Sequence, residues 1–422
     1  MINVNDYISL TDSETFEKAL ANKGIDGIIL IPPRVSDIEP ERDYWLIDRA
    51  ILLPQNTTVI MQNSKIKLSD KCRDNFFRTA NCGMGIEFPE RIKNVHIKGE
   101  GLCILEGADH PRATGDSSKI IANPCPYEVE DLCRLADWIP VERRTPETID
   151  FWNRHNHSYG TDAGKEGESQ YGDWRGIGIL FANTEDFSIS NLRIVESHGW
   201  GISLEECAKG KIEKIDFDAR MSKVIDSLRS NMENEDGIDI RNGCNNIIIS
   251  DITGSTGDDV IALTAIADAD YKPGGSLCST HVMHNDWTKR DPDIHDIIIQ
   301  NVIACSDLCA IIRLLPARTK IWNVSINNVI DTSPDGDHWC TLILGESDGG
   351  YGENHKDSMR NITVSNVICN ANEAIIVGGY LTDSTFSNIV NKKPDAPTFV
   401  VEREDGLNNV KTENIVINGE KT

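Results

Sequence analysis

The chain is short of positive charge. Its 42 Lys and Arg face 67 Asp and Glu, for a net charge of −25. That balance argues against non-specific binding to DNA, RNA or anionic membranes. An acidic substrate stays possible, since a few local Arg or Lys residues can hold one. Long apolar runs are missing as well: no stretch approaches the roughly 20 residues of a membrane span. The opening residues, "MINVNDYISLTDSETF", lack a basic segment followed by an apolar run, so no secretory leader is visible. Zinc-type spacing is also absent. "CSDLC", Cys305 to Cys309, has no second Cys or His pair to complete a site. The 12 Cys are therefore expected to be reduced structural thiols, several inside apolar strand-like runs. A cytoplasmic location with no metal and no cofactor is the expectation.

What is present is a repeated phrase. "FSISNLRIVES" contains Asn191, and "NIIISDITGS" has Asp251 at the matching place. "DIIIQNVIACS" has Asn301, "WNVSINNVIDTS" has Asn328, "NITVSNVICN" has Asn366 and "STFSNIV" has Asn388. Each reads as alternating apolar residues, a polar turn residue, then more apolar residues. The intervals are uneven, longest from Asn191 to Asp251 and shortest from Asn366 to Asn388. The short ones fit single coils of a solenoid, the long ones double coils or coils with insertions. Stacked coils would bury an apolar face that none can bury alone. Asn at a bend suits a left-handed or bridging backbone, and its amide can bond from coil to coil. A β-sandwich would instead ask for Asn-Gly or Asp-Gly hairpin turns between its strands. The pattern predicts an all-β parallel β-helix, residues 1–422 forming a single domain.

A helix is predicted within residues 1–24, with Thr11 or Ser13 as N-cap, Phe16, Ala19 and Leu20 as its apolar side, and Gly24 as its stop. It would cap an open end of the stack. Residues 108–175 break the repeat. They include "TPETIDFWNRHNH", a helix capped at Thr145, and a Gly-rich loop. This reads as an insertion walling a groove. His155, His157 and Trp174 within it either line a sugar site or pack the insertion onto the solenoid. His281 and His284, three positions apart, read as surface loop residues.

Two stretches carry chemistry. "NEDGIDI" spans Asn234 to Ile240 and "GDDVIAL" spans Gly257 to Leu263. Matching their apolar residues sets Ile238 against Ile261 and Ile240 against Leu263, an offset of one coil. Asp236 then shares a column with Asp259, and Asp258 stands one step before. Parallel strands lie roughly 4.8 Å apart. Three carboxylates that close cannot all be charged, so at least one pKa should rise. A protonated acid beside ionised carboxylates suits glycosidic hydrolysis. The residues alone also allow a hard-cation site, or a turn ladder in which each Asp caps backbone N–H groups.

These two motifs, one coil apart, resemble the polygalacturonases, glycoside hydrolase family 28, whose signature is Asn-Thr-Asp-Gly and then Gly-Asp-Asp. The resemblance implies a right-handed parallel β-helix and inverting hydrolysis of a pectin-like polysaccharide or oligosaccharide. It implies Asp258 as general acid, with Asp236 and Asp259 positioning and deprotonating water. It implies Asn234, His198 and Trp200 beside the groove, the latter two from "ESHGWGISLEEC". Glu235 stands where the family often has Thr. A Gly-His-Gly is expected one coil after the Asp pair, where "SDLCAII" puts Asp307 in the His position. An Arg-Ile-Lys is expected a coil later, where "DHWCTLIL" has no Lys. Arg313 and His338 are the residues available to replace that uronate-binding pair. The departures point away from plain polygalacturonate, toward a neutral sugar, a rhamnogalacturonan-like linkage or a short oligosaccharide. The alternatives are a Ca²⁺-dependent polysaccharide lyase on the same fold and a non-catalytic carbohydrate-binding β-helix. The sequence leaves the oligomeric state open.

Overall fold

A computed structural model describes residues 1–109, 156–157, 173–266, 281–283, 290–347, 354–417 and 420–421, apart from positions 71, 73, 84, 85, 87, 198, 221, 226, 227, 233 and 234. The fold is a right-handed parallel β-helix. The chain divides into two compact units. The first is Met1–Ser203, Ala219–Glu235 and Asp270–His284; the second is Leu204–Asp218, Asp236–Ala269 and Asn285–Thr422.

The first unit opens with the helix Asp12–Ala21. Thr11 is its N-cap and accepts from the Glu14 N–H; Asn22 is its C-cap, just before the expected stop at Gly24. Phe16 packs on Trp45 with ring centroids 5.1 Å apart. One parallel ladder runs through Ile28–Ile31, Thr57–Gln62, Ile92–Glu100 and Thr184–Val195. A second joins Ile51–Leu53, Phe77–Thr79 and Ile179–Ala182. Most of the 108–175 insertion, with the helix expected from Thr145 and with His155, lies outside the described residues. A short strand, Asn156–His157, pairs with Leu228–Met232, so His157 stands on a strand, at the end of the stretch expected to be helical.

The second unit shows the repeat most clearly. Its long strands are Ala208–Asp218, Asn245–Thr256, Ile294–Ser306, Ile321–Asp331, Met359–Cys369, Leu381–Asn391 and Leu407–Ile417, paired in that order and all parallel. Side chains stack in columns because parallel pairing keeps register from coil to coil. Ile249, Ile299, Ile326, Val364 and Phe386 form one such column, and each is buried. Burying an Ile is worth about 1.5–3 kcal/mol, so repeated columns supply the core that a single coil lacks.

The recurring polar residue is the bend. Asp251, Asn301, Asn328, Asn366 and Asn388 all have φ between 56° and 60°. This left-handed region penalises most side chains and is most accessible to Asn, Asp and Gly. The Asn301 amide donates to Asp251 Oδ1 at 3.0 Å, and the Asn328 amide to Asn301 Oδ1 at 2.8 Å. Asn388 donates to Asn366 at 3.0 Å, and Asn414 to Asn388 at 3.1 Å. The long interval between Asn191 and Asp251 hides a coil whose strand is Ala208–Asp218. There Lys214 takes the bend with φ 56°, where the polar phrase gave no signal.

A second ladder of shorter strands follows the two Asp motifs. Its members are Ile238–Arg241, Ile261–Ile266, Ala310–Ala317, Cys340–Leu344, Glu373–Val377 and Phe399–Val401. Among the described residues no helix is long and apolar enough to cross a membrane.

Candidate active site

The expected offset holds: Ile238 lies opposite Ile261, and Ile240 opposite Leu263. Both pairs are buried, which fixes the register, since a slip by one residue would turn them outward. The Gly237 N–H donates to the Asp259 carbonyl at 2.9 Å, so Asp236 and Asp259 flank the same turn in successive coils. Gly237 allows this close approach. A Cβ there would sit 2.4 Å from the Val260 carbonyl oxygen and 3.1 Å from the Phe217 ring.

Asp236 is 6% exposed and Asp259 3%, while Asp258 is half-buried. Asp259 is anchored at both oxygens. Oδ1 accepts from the Ala310 N–H at 2.9 Å, and Oδ2 accepts from Arg313 Nη1 at 3.3 Å. The Asp258 carbonyl is tied down by the hydroxyls of Thr256 at 2.7 Å and Ser306 at 2.8 Å. Among the described residues, Asp236 Oδ1 is buried with no hydrogen-bond partner.

A fourth carboxylate joins them. Asp239, 1% exposed, occupies the position between the buried Ile238 and Ile240, and its Oδ2 also lacks a partner among the described residues. The alternation of "GIDI" held this signal, because an Asp between two core residues of a strand must leave the core side. Arg313 follows two coils on in the same column, through Ala262.

The crowding sets the protonation states. Burial pushes the Asp236 carboxyl well above the ordinary range, and the charges of Asp239, Asp258 and Asp259 add to this. Burial raises Asp239 in the same way, against the pull of Arg241. Asp259 rises to about 6: burial outweighs the opposing Arg313 charge and the Ala310 hydrogen bond, with Asp258 adding to the rise. The cluster thus retains a proton where isolated Asp residues would have none.

Coil counting past this point needs correction. Ile261 pairs with Ile312, so Cys309 follows Asp258 and Ala310 follows Asp259. Asp307 stands two positions earlier and does not hold the expected His position. Cys309 was missed as a site residue; its thiol hydrogen-bonds Asp258, and burial with the nearby carboxylates pushes its pKa up. Arg313 lies beside the cluster, bound to Asp259. Its other nitrogen, Nη2, pairs with Glu346, which sequence reasoning also missed. No local pattern announces Glu346, since its contact with Arg313 reaches into the next coil.

His338 is placed differently from the expectation. Its side chain is 1% exposed and lies 3.1 Å from Asp331, a residue also bound by the Thr341 hydroxyl at 2.7 Å. The strand after it begins at Cys340, opposite Ala310, which leaves His338 in the preceding bend. It therefore belongs to a buried polar cluster and not to the carboxylate site. Trp200 and Trp174, in the first unit, sit in one apolar cluster with Cys82, Ile177 and Leu180. Trp200 is only 4% exposed, so packing and not an open sugar platform occupies its ring. His198, Asn234 and His284 lie outside the described residues, while His281 is buried rather than on the surface.

Asp258, Asp259 and Cys309 offer donor atoms within 4.8 Å of one another. A hard cation such as Ca²⁺ asks for six to eight oxygens. Here one donor is a thiol, and both Asp259 oxygens already accept hydrogen bonds. The set fits such an ion poorly.

Comparison with known proteins agrees with the fold and the motifs. Residues 162–276, about a quarter of the chain, match the model of Glycosyl hydrolases family 28. Both Asp motifs fall inside this segment. A polygalacturonase from Erwinia carotovora ssp. carotovora is similar over 97% of this chain and 93% of its own, with 14% identity and a TM-score of 0.57. Endo-xylogalacturonan hydrolase from Aspergillus tubingensis is similar over 97% and 93%, at 12% identity and a TM-score of 0.52. PfbA, a surface adhesin of Streptococcus pneumoniae, is similar over 98% and 86%, at 12% identity and a TM-score of 0.55. No curated protein sequence matches the chain. At these identities the likeness establishes the right-handed parallel β-helix, a fold that carries both hydrolases and an adhesin, while the family match covers the segment holding Asp236, Asp258 and Asp259.

Proposed function

We propose that the protein is a glycosidase that cleaves a pectin-type polysaccharide or oligosaccharide by carboxylate acid–base catalysis with inversion. The observation that carries this reading is the buried cluster of Asp236, Asp258 and Asp259, held in register by the Ile238–Ile261 pairing within the segment matching family 28. An adhesive β-helix has no need to bury several carboxylates together, since burial without full pairing is costly.

Asp258 is the general acid. It is the most exposed of the three, so a glycosidic oxygen can reach it. Its proton passes to the leaving oxygen as the C–O bond breaks. Water attacks the anomeric carbon from the opposite face and loses its proton to Asp236. Asp236 suits this role once ionised, because its Oδ1 has no partner among the described residues. Asp258 and Asp259 offer oxygens within 4.8 Å, closer than the roughly 6.5–9.5 Å between acid and base in inverting enzymes. Asp259, bound by Ala310 and Arg313, therefore supplies fixed charge and positions the water, with Asp236 as the base.

Incubation with a panel of defined pectin-type oligosaccharides, followed for new reducing ends, tests the reading. Saturated products with new reducing ends support it. Unsaturated, ultraviolet-absorbing products would indicate a lyase, and no cleavage of any glycan would leave a binding role.

A further inference from the structure

Arg313 stands beside the reacting carboxylates with its guanidinium divided between two acids. Nη1 reaches Asp259 at 3.3 Å, and Nη2 pairs with Glu346. The Arg313 and Glu346 side chains are each 13% exposed. A guanidinium presents a planar fork suited to one carboxylate at a time on each edge. Here the protein's own carboxylates take both ends.

Among the described residues, the register positions beside Arg313 offer no second cation, and Arg403, near Glu346, is engaged by the Ser347 carbonyl and the Tyr380 hydroxyl. In the register of the short strands, Arg313 lies opposite Ala262 on one side and Ile343 on the other. Ile343 then lies opposite Ile376. Ala310, Cys340, Ile343 and Ile376 form a buried apolar cluster. Glu373 lies opposite Cys340 and adds another acid. Arg241 is fully buried. The surroundings of Arg313 therefore hold Asp236, Asp239, Asp258, Asp259, Glu346 and Glu373, against a cation that is already paired.

We propose that Glu346 is a specificity-determining residue: by holding Arg313 against Asp259 it withholds the guanidinium from substrate, so the sugar seated at Arg313 is neutral and an unsubstituted uronate is rejected. This rests on the glycosidase reading and narrows it to pectin-type glycans with a neutral residue at that subsite. Removing the Glu346 charge releases one edge of the Arg313 fork, which then accepts a sugar carboxylate.

The test measures binding without turnover, in the Asp258→Asn protein. Titration calorimetry compares trigalacturonate with a neutral galactose trisaccharide. The Asp258→Asn protein should bind the neutral ligand and bind trigalacturonate more weakly. Adding Glu346→Gln should tighten trigalacturonate by about tenfold, the scale of a charge-assisted hydrogen bond, and leave the neutral ligand unchanged. Glu346→Ala should do the same, and adding Arg313→Ala should abolish the gain. The proposal is overturned if trigalacturonate already binds as tightly as the neutral ligand, if neither Glu346 variant shifts the ratio, or if neither ligand binds. Failure of the glycosidase reading is separate: it appears as no hydrolysis by the unmodified protein, whatever the binding ratio.

Discussion

Asp236 and Asp259 flank the same turn in successive coils, joined by the Gly237 N–H to Asp259 carbonyl bond of 2.9 Å. Their proximity follows from the length of one coil and costs electrostatic energy. An Asp whose folded pKa is raised binds its proton more tightly in the folded than in the unfolded chain. Stability therefore falls as pH climbs through the ordinary carboxylate range toward the folded value, and is restored on acidification. Asp236, raised mainly by burial, is such a group. Asp236→Asn should melt above the parent protein at pH 8, with the difference vanishing near pH 4. Thermal melts across that range check it. A variant that melts lower at pH 8 would mean that the charge is stabilising.

Asp258→Asn and Asp236→Asn should each reduce turnover by about 10²–10⁴-fold with folding intact. A substrate with a very good leaving group needs little protonation. It should restore activity to Asp258→Asn and not to Asp236→Asn. Equal rescue of both would overturn the assignment of acid and base.

The pH–rate profile follows from Asp259, raised to about 6, and from Asp236, which burial holds well above the ordinary range. In the proposed mechanism both must be ionised, Asp259 to hold Arg313 and orient water and Asp236 to take its proton. The ratio kcat/KM should therefore start to rise no lower than about pH 6 and reach its plateau above it, before any alkaline fall. An acid limb near the ordinary Asp value of about 4 would contradict the burial argument. The apparent values belong to the cluster as a whole.

Gly237→Ala tests the coil contact. Its Cβ would fall 2.4 Å from the Val260 carbonyl oxygen, so backbone must shift. A loss of about 1–3 kcal/mol is expected by denaturant unfolding, together with lower turnover because Asp236 is displaced. A neutral effect on both would mean that the turn relaxes freely.

The bend ladder makes its own prediction. Asn328 has φ 60° and donates to Asn301. Asn328→Ala loses the hydrogen bond and strains the backbone, costing about 1–3 kcal/mol. Asn328→Gly keeps the conformation and should cost less, measured by urea unfolding.

Much of this was legible in the sequence because it repeats. Asn301, Asn328, Asn366 and Asn388 announce themselves by residue type, since few side chains tolerate their backbone. The one-coil offset of the Asp motifs was readable because two apolar positions follow each, Ile238 with Ile240 and Ile261 with Leu263. Lys214 hid a coil, as Lys carries no preference for a left-handed bend. The long stretch between the paired residues Ile261 and Ile312 blurred the count beyond the Asp pair. That misplaced Asp307 and kept Cys309 from view. Arg313 was readable as a cation near the groove, but its partner Glu346 is a tertiary contact without a local pattern. His338 and Trp200 have residue types suited to binding, yet the hydrogen bonding around Asp331 and the packing around Trp174 claim them.

The most direct test of the account is the anomeric configuration of the first product. Proton NMR of a cleaved pectin-type oligosaccharide, recorded before mutarotation, reads it. The account predicts a saturated product with a new reducing end of inverted configuration, absent with Asp258→Asn. A retained configuration, an unsaturated product, or an undiminished signal with Asp258→Asn would contradict it.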